Sequence, residues 1–511
     1  MKGLGILVVG FLFAGPSDSL ETRVVASVGR FTVTGQDLLD SYEFGPGFVK
    51  RSDKPLRKHL EYMIYERLIA HEAVQLHFDT SMFVRERIAA LEEDLAVDQL
   101  YKDEILSKVK LSEEEIEAGV QKGRMNLRLR WIYGESKKDA QRVAQELDRG
   151  VPFDSLFARQ FKPAESHLER TLETTLLKLE HDNPEFAGQI ANLRTGEVSD
   201  PLEGPDGFYT VRIDQIWQNP LLTESEYGIL KSDAVSILRT NRAAELARQY
   251  VKHRMRAADP VIKAEGFNIL RAYLAEKGLS RNTRLKWDIP TTFMTEAGPR
   301  PVNASGEFLA RPLVTSSGNQ MLTVREYIQW FDIRQFQLRT SSLAAFNSSV
   351  KRTIWKLVQD KLLSQEAYSR HFNRSEKVER ETGKWEAKLL YLAGRSHLLR
   401  SVDIPEGSLK IRYEEQKKRY VDDMGRQLTF DKARDQVWLD AYYDEERKVL
   451  FRAIQRLKKE VPVYVNESVL NTLSATVETE GAPINVIFYK PGGTFPRVAF
   501  PTIDESWQRF P

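Results

Sequence analysis

One segment of the chain carries the residue types of a metal-dependent catalytic motif, His71-Glu72-Ala73-Val74-Gln75. A zinc-protease helix needs a second histidine four residues after the first, so that both rings face the metal. Gln75 occupies that position, and His77 lies two residues further on, off that face. The acidic run Glu113-Glu114-Glu115 is typical of the solvated first turn of a helix. We therefore predict no metal site and no cofactor.

Other kinds of chemistry are limited by what the sequence lacks. The 511 residues include no cysteine, which excludes thiol nucleophiles, disulfides, thiolate zinc sites and iron–sulfur clusters. Neither a Gly-x-Ser-x-Gly elbow nor a phosphate-binding loop after a strand occurs. With 75 Lys and Arg against 73 Asp and Glu, the net charge is +2. The concentrated basic excess of a nucleic-acid binder is missing, and we expect no nucleic-acid partner.

The first residues have the layout of a secretory signal peptide. Lys2 is followed by eleven apolar residues, Leu4–Ala14, and then by small and polar residues as far as Ser19. A transmembrane helix needs about 20 apolar residues, so this run is too short to span a membrane, and no later stretch approaches that length. We expect residues 1–19 to direct export to the periplasm and to be removed, and we expect no transmembrane span.

Two stretches of the sequence repeat one pattern. Arg57–Phe78 and Lys351–Phe372 align at a constant offset of 294, and both place apolar residues at helical spacing. Upstream of each, a short predicted strand enters a helix through a threonine cap, Thr34 in the first copy and Thr323 in the second. The likeness predicts two related helical units.

A second matching pair reveals an insertion in the first copy. Asp259-Pro260-Val261 matches Val461-Pro462-Val463 at an offset of 202, and these follow long helices predicted at 224–256 and 430–460. The offset has dropped by 92, which is the length of the interval Leu127–Gln218. That interval is predicted to contain strand Leu127–Tyr133, helices Lys137–Asp148, Phe153–Phe161 and Pro184–Leu193, and strand Gly207–Ile216. This order predicts a small α+β domain.

The predicted fold class is mainly α with an inserted small α+β domain. The divisions are a signal peptide (1–19), a first helical unit (20–126, completed by 219–275), the insert (127–218), a connection (276–312), a second helical unit without insert (313–473) and an aromatic tail (474–511). The tail is either an extension that packs back on the body or a docking strand for a partner.

The insert resembles a parvulin-type peptidyl-prolyl isomerase domain. Its markers are Gly150-x-x-Phe153-x-x-Leu156, then Phe186 ten residues before Gly196, then Gly196-Glu197-Val198-Ser199-x-Pro201 ahead of Gly207-Phe208. The flanking halves resemble the chaperone domain of SurA-like periplasmic chaperones. The resemblance implies an ATP-independent chaperone of the periplasm whose partners are unfolded secreted or outer-membrane polypeptides.

The site that the resemblance implies is altered in this sequence. The family's two strand histidines fall on Trp131, or on Arg130 one register away, and on Tyr209. The family's glycine-rich segment falls on residues 169–177, which contain no glycine, and its apolar shelf falls on Asp182. We therefore predict no catalytic residue. Instead we predict a peptide-binding groove lined by Trp131, Phe186, Phe208 and Tyr209, for which ordinary domain core is the simpler interpretation.

Three functions stay open at this level. The first is a chaperone that binds unfolded chains without chemistry. The second is an active prolyl isomerase with a rebuilt site, which must bind the twisted amide better than the planar one. The third is a structural subunit of a secretion or surface assembly. The oligomeric state does not follow from the sequence.

Overall fold

The computed structural model describes residues 22–160, 170–204, 207–218, 222–296, 298–303, 306–480 and 501–510. The predicted signal segment, residues 1–19, lies outside them. The chain divides into two compact units. We call residues 100–258 the insert unit, and the described residues of 22–99 and 259–510 the paired-core unit.

The fold is mainly helical, as the sequence predicts, and it contains small antiparallel sheets. The strands are β1 (Val24–Val28), β2 (Phe31–Thr34), β3 (Met125–Gly134), β4 (Thr171–Thr175), β5 (Leu202–Gly204), β6 (Gly207–Gln218), β7 (Pro260–Ile262), β8 (Thr292–Thr295), β9 (Gly298–Pro301), β10 (Pro312–Ser316), β11 (Asn319–Thr323) and β12 (Val463–Val465). The helices are α1 (Gly35–Glu43), α2 (Pro55–Gln75), α3 (Met82–Glu104), α4 (Glu113–Arg124), α5 (Lys137–Asp148), α6 (Phe153–Ala158), α7 (Leu176–Asp182), α8 (Pro184–Ile190), α9 (Glu224–Ala258), α10 (Ala264–Gly278), α11 (Arg281–Lys286), α12 (Gly306–Leu309), α13 (Val324–Arg334), α14 (Leu343–Ser369), α15 (Glu376–Leu399), α16 (Glu406–Glu415), α17 (Phe430–Glu460) and α18 (Glu467–Glu480).

The two repeated stretches form the same elements in the same order. Thr34 and Thr323 each accept a hydrogen bond from the backbone N–H three residues on, and the side chain of that third residue reaches back to the cap. Such a capping box satisfies two backbone donors of the first turn, which is why α1 and α13 begin there. The long helices α2 and α14 both lead into a histidine with left-handed backbone, His77 at φ 59° and His371 at φ 60°.

Two three-stranded sheets of the paired-core unit each include a strand from a distant part of the chain, whereas β8 and β9 pair as neighbours. β1 lies between β2 and β12, and β10 lies between β11 and β7, all antiparallel. β7 and α10 therefore pack with β10 and α13, while β12 and α18 pack with β1 and α2. β7 lies within residues 219–275, which we predict to complete the first helical unit, yet it pairs with β10 of the second unit. Both completing segments carry the same Pro-Val pattern, which fits either sheet.

The helices that follow the two histidine turns are exchanged in the same way. α15 packs along α2, and Lys388 donates to both carboxylate oxygens of Glu66 at 2.8 Å. α3 contacts α13, where Arg334 donates to both oxygens of Asp94 at 2.6 and 2.7 Å. Each of the two cores therefore contains elements from both repeated stretches.

The insert unit contains a four-stranded antiparallel sheet in the order β4-β3-β6-β5. Helices α7 and α8 cover one face, α5 and α6 pack on the other, and α4 packs against α9. α5 has the bounds that the sequence predicts, and β3 and β6 lie at the predicted strands but extend beyond them, β3 at both ends and β6 by two residues after Ile216. The core of the covered face consists of Leu127, Leu129, Leu179, Ala187, Ile190, Val211 and Ile213.

The structure adds elements where the family's glycine-rich segment was expected. β4 and α7 occupy Thr171–Asp182, and Thr175 caps α7 by accepting a hydrogen bond from the backbone N–H of Lys178 at 3.3 Å. β4 contains a single apolar residue, Leu172, so its sequence shows no alternation. This is why the sequence pattern does not predict the strand.

The described part of the aromatic tail, residues 501–510, packs back on the paired-core unit. Trp507 is 0% exposed and Ile503 is 3% exposed. Residues 481–500 lie outside the described residues. Of the helices that the structure describes, none is long and apolar enough to cross a membrane.

Candidate functional site

Three of the four predicted groove residues meet on one face of the insert sheet. Trp131 of β3, Tyr209 of β6 and Phe186 of α8 are half-buried and pack against the same buried cluster. Asn183 caps α8 by accepting a hydrogen bond from the backbone N–H of Phe186 at 3.2 Å, which positions that ring at the start of the helix. We call these three residues, together with Tyr133, the aromatic face.

Phe208 is not part of the aromatic face. It pairs with Gly134 of β3 and Glu203 of β5, one position before Tyr209. Successive side chains of a strand point to opposite faces, so Phe208 lies on the other side of the sheet from Tyr209. The prediction placed Phe208 and Tyr209 in one groove, although neighbouring residues of a strand point to opposite faces of the sheet.

Tyr133 belongs to the site and was missed. It lies opposite Tyr209 in the strand register, and the ring centroids are 5.5 Å apart in an edge-to-face arrangement. A Cβ on Gly207 would lie 2.5 Å from Cε2 of Tyr133, and one on Gly204 would lie 2.5 Å from Cε2 of Tyr209. The two rings therefore rest on the glycine backbone of the β5–β6 hairpin. The available signal was spacing, because Tyr133 is two residues after Trp131 and shares its side of the strand.

Polar groups border the aromatic face at Tyr133. The Gln160 side chain accepts a hydrogen bond from the Tyr133 backbone N–H at 2.8 Å and donates to its carbonyl oxygen at 2.6 Å. Arg170 donates to the Gln160 side-chain oxygen, and its guanidinium lies 5.9 Å from the centroid of the Tyr133 ring. An aromatic surface beside fixed donors can stack on a ring of a peptide and hold a nearby carbonyl.

The opposite face of the sheet carries an ion-pair cluster. Arg130 and Arg212 both contact Asp154 and Asp214, with Arg212 donating to Asp154 at 2.9 and 3.0 Å. Their guanidinium groups lie over the rings of Phe157 and Phe153 respectively. The hydrogen bond from Arg212 lowers the pKa of Asp154. Arg130, the alternative position for the family's first histidine, is thus held in a structural network.

Among the described residues, no histidine lies at the aromatic face. His181 of α7 bonds through Nδ1 to the side-chain oxygen of Asn241 in α9 at 2.7 Å, and Asp182 is exposed at the end of α7. The other histidine of residues 127–218, His167, lies outside the described residues.

The zinc-like segment of α2 has a packing role. A Cβ on Gly29 would lie 2.4 Å from Nδ1 of His71, so the ring lies directly against the β1–β2 turn. Glu72 is paired with Arg456 of α17. No group of three or more potential metal ligands occurs among the described residues.

Comparison with known proteins finds resemblance in structure only. No protein-family model matches the sequence, and no curated protein matches it. The peptidylprolyl isomerase PrsA from Bacillus cereus is 15% identical, with a TM-score of 0.23, over 46% of this chain and 92% of that one. PrsA from Bacillus subtilis is 18% identical, with a TM-score of 0.17, over 45% of this chain and 93% of that one.

A further match is to the structures of PEB4 and Cj1289, described as SurA-like chaperones of Campylobacter jejuni. The match has 15% identity and a TM-score of 0.21, and it covers 46% of this chain and 98% of the chain that it matches. The chain thus shows a distant structural likeness, over about half its length, to PrsA and SurA-like proteins.

Proposed function

We propose that this chain is an ATP-independent chaperone of the periplasm that binds unfolded secreted or outer-membrane polypeptides. The single observation that carries the proposal is the half-buried aromatic face formed by Trp131, Tyr133, Phe186 and Tyr209. Export by residues 1–19 and the division into two helical units with a parvulin-like insert are parts of the same proposal.

The chemistry of the aromatic face suits binding rather than catalysis. Burial of apolar surface is non-directional and contributes about 25 cal/mol per Å², so it tolerates many client sequences. Ring stacking adds about 0.5–1.5 kcal/mol for each well-placed aromatic pair. β4 and β5, the outer strands of the sheet, offer main-chain groups to an extended segment. Many weak contacts of this kind delay aggregation without a nucleotide.

The test is suppression of aggregation of a chemically unfolded outer-membrane protein by the mature chain. We expect Trp131→Ala combined with Phe186→Ala to weaken suppression at least fivefold, because the two rings are half of the four that form the aromatic face. The matched control is Trp217→Ala, which removes a 39% exposed tryptophan from the other side of β6, where it pairs with Asn126. Full suppression by a folded Trp131→Ala/Phe186→Ala chain would contradict the proposal.

A second candidate, prolyl isomerase activity, is favoured by one observation. Arg170 places hydrogen-bond donors next to the Tyr133 ring, beside the apolar surface formed by Phe186 and Trp131. An isomerase must lower a barrier of about 18–20 kcal/mol, which needs donors fixed on the twisted amide. The assay is isomerisation of a short Xaa-Pro peptide. We expect the rate in buffer alone; a faster rate that Phe186→Ala abolishes would make the chain an enzyme.

A further inference from the structure

The C-terminal segment 501–510 fills a groove in the paired-core unit. Trp507 is fully buried, stacked on Tyr62 with ring centroids 5.8 Å apart and planes 14° apart. Tyr65 and Tyr391 contact the same indole at 5.7 and 6.2 Å. The indole is thus surrounded by three tyrosines, and a buried tryptophan side chain removes a large apolar area from water.

Two buried carboxylates of the groove accept hydrogen bonds from the segment. Glu66, 3% exposed, accepts from the indole Nε1 of Trp507 at 3.2 Å and from the backbone N–H of Asp504 at 2.7 Å. Glu446, 2% exposed, accepts from Arg509 at 3.1 Å. Burial alone would raise the pKa of Asp504, but its hydrogen bonds with Ser506 and nearby cations hold it below its usual value.

The last described residues of the segment, Arg509 and Phe510, also contact the paired-core unit. The Arg509 guanidinium lies 3.9 Å from the ring centroid of Tyr443, and Phe510 contacts Tyr65 at 5.8 Å and Phe451 at 5.9 Å. We call the surface formed by Tyr62, Tyr65, Glu66, Tyr391 and Glu446 the tail groove. The segment contacts the groove as a peptide ligand would, because its indole, guanidinium and phenyl ring each contact a side chain of the groove.

The other core of the unit supplies its own tryptophan. Asp360 of α14 is the counterpart of Glu66 at the offset of 294, and it accepts a hydrogen bond from Nε1 of Trp330 at 3.3 Å. Trp330 is the seventh residue after the cap Thr323; the seventh residue after Thr34 is Ser41. The first core therefore has no tryptophan of its own at this position. Glu66 instead accepts an indole hydrogen bond from Trp507 of segment 501–510.

We propose that the tail groove is a peptide-binding site for segments of the pattern Trp-x-Arg-Phe, and that residues 501–510 occupy it as a tethered competitor. The inference rests on the proposed function for its biological use, because aromatic client segments would have to displace the tail. The tail is joined to α18 through residues 481–500, so its docking is intramolecular. A free peptide therefore binds only the fraction of chains whose groove is open.

The test uses a fluorescein-labelled peptide of residues 501–511 and the mature chain ending at residue 480. We expect saturable binding by the shortened chain, with at least tenfold weaker binding by the full-length chain. Peptide carrying Trp507→Ala, or shortened chain carrying Glu66→Gln, should bind at least tenfold more weakly than the unchanged pair. Equal binding by both chains, or no binding by a shortened chain with native circular dichroism, would overturn the inference.

A second arm covers a shortened chain that does not fold. A protease site placed within residues 481–500 of the full-length chain is cleaved after folding, and excess labelled peptide is added. Exchange of the cleaved tail for the peptide, followed by native mass spectrometry, supports the site; a tail that stays bound without exchange overturns it. Shortened or cleaved chain carrying Trp131→Ala and Phe186→Ala separates the two proposals, since it should still bind the peptide even if client protection is lost.

Discussion

A buried carboxyl group on α1 makes the stability of the paired-core unit depend on pH. Asp40 is 4% exposed, and burial raises its pKa to about 6, although the hydrogen bond from Gln36 at 2.7 Å opposes the shift. The unfolded chain releases this proton near the ordinary value of about 3.8. The folded state therefore holds the proton more tightly, and stability is lost as the pH rises from about 4 through 6.

Asp40→Asn should remove this loss. We expect the variant to raise the free energy of unfolding by about 1–3 kcal/mol at pH 8, because a shift of one pKa unit corresponds to about 1.4 kcal/mol. At pH 4.5 the gain should shrink to about a third of that. Urea unfolding at the two pH values measures it, with Asp435→Asn, an exposed position on α17, as the control. The same gain at both pH values would contradict the explanation.

Gly207 is required by the ring that lies on it. An added Cβ would lie 2.5 Å from Cε2 of Tyr133 and 2.7 Å from the carbonyl oxygen of Gly134, and a backbone oxygen cannot move aside easily. We expect Gly207→Ala to destabilise the insert unit by about 1–3 kcal/mol and to weaken client binding. The control is Gly188→Ala on the exposed side of α8, where a Cβ meets nothing within 4 Å. Thermal unfolding should show that this control is neutral or stabilising, by up to about 1 kcal/mol.

At the scale of the element, charge specifies which helix packs where. Asp94 of α3 and Lys388 of α15 occupy equivalent positions at the offset of 294 but carry opposite charges. Their partners are Arg334 and Glu66 respectively. If α3 took the place of α15, Asp94 would face Glu66. If α15 took the place of α3, Lys388 would face Arg334. Like charges in a buried setting cost several kcal/mol, so the pattern opposes the unexchanged arrangement.

Reversing the Arg334–Asp94 pair tests this specification. We expect Arg334→Asp or Asp94→Arg alone to destabilise the chain by about 3–5 kcal/mol, and the double reversal to recover a large part of that. The coupling comes from residues 240 positions apart in the sequence and needs direct contact to exist. The exposed pair Lys277–Asp332 of the same unit serves as the control, with a coupling below about 1 kcal/mol. Strict additivity of the Arg334 and Asp94 changes in urea unfolding would rule the contact out.

Element periodicity predicted much of the local structure. α5 and α17 have the predicted bounds because long amphipathic patterns with clear ends are strong signals. β4, with one apolar residue, carries no such signal. Of the aromatic face, Trp131, Phe186 and Tyr209 followed from the resemblance, whereas Tyr133 followed from neither resemblance nor motif. The partner of each strand was not predictable, because β7 and β12 have the same pattern and register depends on pattern.

At the scale of the whole molecule, the exchange makes the two repeated stretches interdependent. A chain ending at residue 290 keeps β1, β2, α1 and α2 but lacks β12, α15 and α18, the elements that complete their core. It could close that core only with its own β7 and α3, which would bring Asp94 against Glu66. A chain beginning at residue 291 meets the corresponding conflict between Lys388 and Arg334.

We therefore expect residues 20–290 and 291–511 to fold together but not separately. Co-expressed fragments should co-purify as a one-to-one complex with the client-holding activity of the intact chain, because the contacts of both cores are made across the cut. Each fragment alone should lack the cooperative unfolding transition of the paired-core unit, which circular dichroism and proteolysis measure. The insert unit, residues 100–258, is complete in the first fragment and should remain protected there. Two fragments that each show full cooperative unfolding in isolation would mean that the repeated stretches are self-sufficient, and that their exchange is not needed for folding.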